Sequence, residues 1–151
     1  MNNHSKRFWR TVVVGVALLA GACGGGDDGG GGGAANKAEW EEEHASAVRV
    51  VSDDIDRAVQ ALNAGQRPVV LSECTQLQED LADARKAVPV PDANVDAALR
   101  SALDSTGTAA ATCVEGGRVA SDASIVEKAQ REMKTARDRY SAAQDAIAAW
   151  E

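Results

Sequence analysis

Residues 124–151 read SIVEKAQREMKTARDRYSAAQDAIAAWE, and Val126, Ala129, Met133, Ala136, Tyr140, Ala143, Ile147 and Trp150 recur through them at alternating steps of three and four. A helix with one apolar face produces that spacing, because its turn of about 3.6 residues stacks positions three and four apart on the same side. The alternation of a strand is absent here and in the stretches upstream.

Upstream, Val95, Leu99, Ala102, Ala109 and Cys113 form a second stripe, which Asp92 is placed to cap and which Gly116-Gly117 is expected to end. Gly107 interrupts it as a weak point, costing up to about 1 kcal/mol relative to Ala. A third stripe, Val70, Cys74, Leu77, Leu81, Ala84 and Val88, follows Pro68, a favoured first-turn residue, and is stopped by Pro89 and Pro91. The remaining stripe, Val48, Val51, Ile55, Val59 and Leu62, belongs to a stretch from about Ala38 to Ala64 closed by Gly65. Glu39, Glu41, Glu42 and Glu43 are expected in its first turns, where the helix dipole favours them. The last helix is expected to open between Ser121 and Ser124, with Ser124 and Glu127 as a capping box. Four helices and three short connections predict an all-α fold, an antiparallel up-down-up-down four-helix bundle over residues 38–151.

That topology brings the start of the second helix and the end of the third to one end, and so places Cys74 near Cys113 for a disulfide. It brings Trp40 and Trp150 together at the other end. The core is thin, with one Tyr, one Phe that falls near the N-terminus, and many alanines of small buried area. A disulfide closing so long a loop would stabilise the bundle by about 4 kcal/mol.

Ahead of the bundle, Lys6, Arg7 and Arg10 precede the apolar run TVVVGVALLA at 11–20, the charged and hydrophobic regions of an export signal. Roughly 20 apolar residues are needed to span a bilayer, so the run is too short to remain as a transmembrane helix. It ends in Leu19-Ala20-Gly21-Ala22-Cys23, which resembles the lipobox of bacterial lipoprotein precursors, with Ala20 where that motif most often has Leu. The resemblance implies that residues 1–22 are a signal peptide and that Cys23 is lipidated, carrying diacylglycerol with palmitate-type chains as the new N-terminus. Ala20-x-Ala22 also fits an ordinary signal peptidase cutting the same bond, which would yield a soluble secreted domain instead. The chain has three cysteines, and lipid on Cys23 leaves Cys74 and Cys113 as an even pair in a compartment where disulfides persist.

From Gly24 the sequence GGGDDGGGGGAAN offers nothing to a core, so residues 23–37 read as the lipidated cysteine and a flexible tether, roughly 20 Å from end to end. Loss of Lys6, Arg7 and Arg10 takes the formal charge from −7 to −10. So acidic a domain is excluded from nonspecific nucleic-acid binding and from a polybasic grip on lipid. The membrane partner is then reached through the lipid alone, and the expected location is the outer face of the plasma membrane.

Chemistry-bearing residues are few. Glu41-x-x-His44 matches half of the ligand pattern of di-iron bundles, but His44 is the only histidine left once His4 departs with the signal, and it reads as a solvated or helix-end residue. Asp53, Asp54 and Asp56, and likewise Glu79, Asp80 and Asp83, read as solvated helix faces, without the tight loop of a calcium site. No nucleophile, base and acid can be assembled around His44, and the Gly-rich segment lacks the ending of a phosphate loop. No metal, no cofactor and no catalytic residue is expected. Trp40, Trp150 and Met133 read as core, with a partner-binding end as the other possibility. A Trp early in the first helix, Cys74, Pro89-x-Pro91 and Cys113 together make the chain from residue 38 similar to small, uncharacterised lipoproteins of high-GC Gram-positive bacteria. That resemblance implies no activity. The expected function is a noncatalytic, membrane-anchored interaction module of the cell envelope that contacts another envelope protein. The alternative is a carrier holding a small apolar or cationic ligand between its helices, followed by a soluble secreted domain or an enzyme.

Overall fold

The structure is a computed structural model describing residues 32–118 and 123–151. Residues 1–22, read above as a signal peptide, and Cys23 lie outside the described residues. The described residues form four α-helices, α1 over Gly32–Ala64, α2 over Arg67–Ala84, α3 over Ala93–Arg118 and α4 over Ala123–Ala149, with a 3-10 turn at Arg85–Ala87 after α2. No strand occurs among the described residues. Each helix packs on its neighbours in sequence, α4 closes the ring against α1, and the diagonal α1–α3 contact is slight.

Pairings across the seams run in opposite order, which defines the antiparallel arrangement. From α4 to α1, the Tyr140 hydroxyl donates to the Val48 carbonyl at 2.8 Å, Arg137 pairs with Asp56 at 3.0 Å, and the Gln130 amide reaches the Leu62 carbonyl at 3.5 Å. Between α2 and α3, Arg67 meets Gly117, Cys74 meets Cys113, and Arg85 meets Asp104. The predicted stripes face inward: Ile55, Leu77, Leu99, Met133 and Tyr140 are all buried, and Val59, Val88, Val126 and Ile147 pack against them partly covered.

Two helix ends match expectation. Gly65 adopts a φ of 66°, the left-handed geometry of a C-terminal cap, and its N–H donates to the Ala61 carbonyl at 3.1 Å. The Asp92 carboxylate accepts from the N–H groups of Asn94 and Val95, each at 2.9 Å, satisfying two otherwise orphaned donors of α3.

Two boundaries and one cap differ. Helix α1 begins at Gly32, so its first turns take up Ala34, Ala35 and Lys37 from the stretch read as tether; alanine has the highest helix propensity and extends the helix backward. Glu39 to Glu43 therefore stand beyond the first turn, where the dipole's influence has faded. Gly116 and Gly117 do not end α3, which continues to Arg118. A Cβ on Gly117 would stand 3.0 Å from the N, Cα and Cβ of Leu71, so this glycine permits close approach of α3 to α2 rather than a cap. Arg67 supplies the cap across the seam, its guanidinium donating to the carbonyls of Gly117 at 3.3 Å and Arg118 at 3.0 Å. Helix α4 starts at Ala123, within the expected window from Ser121 to Ser124, but Ser124 then stands inside the first turn rather than at the cap position.

Candidate functional site

Of the residues singled out by sequence, Cys74 and Cys113 meet as expected. Both are fully buried, their Cα atoms are 5.9 Å apart, and the sulfurs lie at disulfide distance, joining the start of α2 to the end of α3. The third cysteine of the sequence, Cys23, lies outside the described residues.

At the opposite end, Trp40 and Trp150 pack edge to face with centroids 5.9 Å apart. The Trp40 indole N–H donates to the Ala87 carbonyl at 2.8 Å, tying the start of α1 to the turn between α2 and α3. The Lys37 ammonium donates to the Trp150 carbonyl, so α1 is also fastened to the C-terminus of α4. Both indoles are buried, which makes this end a clasp rather than an open recognition surface. His44 lies beside Trp40 with ring centroids 5.9 Å apart and its Nε2 is 3.7 Å from Glu43, while Glu41 is exposed. Among the described residues no group of three or more His, Cys, Asp and Glu side chains is placed to hold a metal ion.

The acidic residues of α1 need correcting in one respect. Asp53 is exposed, but Asp54 is 1 % exposed and belongs to the interior. The half-exposed Arg57 pairs with it and also reaches Glu73 of α2 at 3.3 Å, so one guanidinium neutralises a buried carboxylate and spans the α1–α2 seam. Its second oxygen, Oδ2, has no hydrogen-bond partner. The stripe carries the signal for this placement: position 54 follows Val51 by three and precedes Ala58 by four, both fully buried.

Around the bundle axis the core is closed, with Cys74, Leu77, Leu99, Ala109, Met133 and Ala136 inaccessible. Grooves lie instead along the helix seams. One of about 600 Å³ runs between α2 and α3 beside Leu81, Arg85 and Gly107, and one of about 350 Å³ runs between α3 and α4 beside Ser105, Glu132 and Arg139. Asp104 and Thr108 border both. Sequence reasoning missed this surface, because it depends on which polar faces of separate helices meet. No helix among the described residues is long and apolar enough to cross a membrane. Compared with known protein families, curated proteins and solved structures, the chain matches none of them.

Proposed function

We propose that this chain is a lipid-anchored, extracytoplasmic and noncatalytic interaction module, with Cys23 as its acylated N-terminus and the helical bundle as the part that meets a partner in the cell envelope. The observation carrying this reading is the division of labour among the cysteines. Cys74 and Cys113 are buried together in the bundle, and Cys23 alone stands at the end of an export signal with small residues before it. A single acyl chain is a marginal anchor, but each buried methylene contributes about 0.8 kcal/mol, so two or three chains hold firmly.

The covalent Cys74–Cys113 bridge belongs to the same proposal, since the space outside the membrane is where such bonds endure. A carrier with its ligand on the bundle axis is the weaker reading, because that axis is filled by side chains without exposure. Substituting Cys23→Ala separates anchor from export: the altered protein should leave the membrane fraction and appear in the medium with its bundle intact. Crosslinking on intact cells should then capture an envelope partner with the wild-type chain. Membrane retention of the Cys23→Ala protein would overturn the anchor, and the absence of any crosslinked partner would overturn the interaction role.

A further inference from the structure

The outer face of α3 is low, since Ser101, Ser105, Gly107, Thr108 and Ala111 are small, and the two grooves flank it on either side. Around this ridge the fold leaves hydrogen-bonding capacity unused. Arg139 has no ion pair or hydrogen bond among the described residues. Arg131 is 3.9 Å from Glu127, a loose pairing on the exposed side of α4. Arg85 is 3.6 Å from Asp104, which is itself 82 % exposed. Glu132 presents the opposite need: its Oε1 is 3.7 Å from Lys128, while its Oε2 is buried without a hydrogen-bond partner, an acceptor desolvated with nothing to replace water.

Gly107 ties these observations to a purpose. A glycine inside a helix is destabilising relative to alanine, and Gly107 serves no turn or cap. A Cβ there would stand 2.8 Å from Nη2 of Arg85, so the missing side chain is the seat of that guanidinium against the α3 backbone. Arginine's planar fork suits carboxylates, and three arginines border the two grooves beside this ridge, Arg85 one and Arg131 and Arg139 the other, in a chain that is otherwise strongly acidic.

We propose that this face binds a free carboxylate accompanied by an N–H donor, the chemistry of a peptide's carboxy-terminal residue. The carboxylate lies between Arg131 and Arg139, the N–H donates to Glu132 Oε2, and the preceding residues cross the Asp104–Thr108 ridge toward Arg85. The inference deepens the interaction-module reading and rests on it for the compartment in which such a ligand is met.

Isothermal titration calorimetry on the full chain purified from expressing cells, using tetra-alanine, its carboxy-terminal amide and free alanine, tests the site. Tetra-alanine should bind, and the amide should bind about tenfold more weakly or worse. Arg139→Gln and Glu132→Gln should each weaken binding about tenfold. Gly107→Ala, which displaces Arg85, should weaken it while the thermal midpoint holds or rises. Free alanine matching tetra-alanine would support the carboxylate site and identify an amino acid as its source. No binding of either carboxylate at millimolar concentration, equal binding of the amide, or indifference to all the substitutions would overturn the proposal. The N-terminal mass of the same preparation separates the two readings: an acylated chain that binds nothing overturns the site alone, and a binding chain without acyl groups overturns the anchor alone.

Discussion

Gly107 and Gly117 stand in the same helix, yet a methyl group meets different surroundings at each. At Gly117 it would press on the backbone of Leu71 at 3.0 Å, and a helix backbone cannot yield without moving α2. Gly117→Ala should therefore destabilise the bundle by about 1–3 kcal/mol despite alanine's better helix propensity. At Gly107 the obstacle is the far end of a flexible arginine, and Gly107→Ala should gain up to about 1 kcal/mol. Thermal unfolding of the two variants should move in opposite directions, and a Gly117→Ala protein as stable as the parent would refute the close-packing role. Tyr140 offers a second residue-scale reading. Burial pushes its phenol well above the ordinary tyrosine range, and its hydroxyl is held by the Val48 carbonyl. With the folded value raised, the associated stability is complete below the unfolded value of about 10 and is lost as pH climbs beyond it. Tyr140 is the only tyrosine, so phenolate absorbance reports on it alone and should appear together with loss of helical circular dichroism. Phenolate forming while the helices remain intact would contradict its burial.

At the scale of elements, α3 gains its start from carboxylates. Asp92→Ala removes the acceptor for the Asn94 and Val95 N–H groups and should cost about 1 kcal/mol, seen as faster amide exchange confined first to the opening turn of α3. Nearby, the Asp96 carboxyl is held below the usual carboxylate range by its hydrogen bond from Arg100, with the Val90 N–H adding to the effect. A lowered folded value means that its contribution is present above the unfolded value of about 3.9 and fades as pH falls through the folded one. Because the pair is solvent-exposed, the effect should be small and confined to this helix start. The existence and inward faces of all four helices were legible in the sequence, since a stripe such as Ala129, Met133, Ala136, Tyr140 and Ala143 reports burial directly. Their ends were less so. Gly116-Gly117 has the appearance of a stop, but whether a glycine caps a helix or admits a neighbouring one depends on a tertiary contact with Leu71. At Asp54 residue type points to solvent while its place in the stripe, between Val51 and Ala58, sets its burial.

At the scale of the whole molecule, the two ends of the bundle are secured by different means: the buried cysteine pair at one and the Trp40–Trp150–Lys37 clasp at the other. The cysteine pair closes a sequence separation of 39, which the chain-entropy estimate values at about 4 kcal/mol. Replacing both residues by serine should lower the denaturant midpoint accordingly, and an unchanged midpoint would deny the pair its stabilising role. The cysteine partnership was legible from the lengths of two antiparallel helices, which bring Cys74 and Cys113 to one end. The surface along α3 was not, because Arg85 follows α2, Asp104 and Thr108 lie on α3, and Glu132 and Arg139 lie on α4, and only packing brings them together. The lipid anchor is open to one decisive test, the intact mass of the protein purified from its own cells, before and after reduction. The prediction is a chain beginning at acylated Cys23 that gains two daltons on reduction. A chain that still carries Met1, or one that begins at an unmodified Cys23, would contradict it.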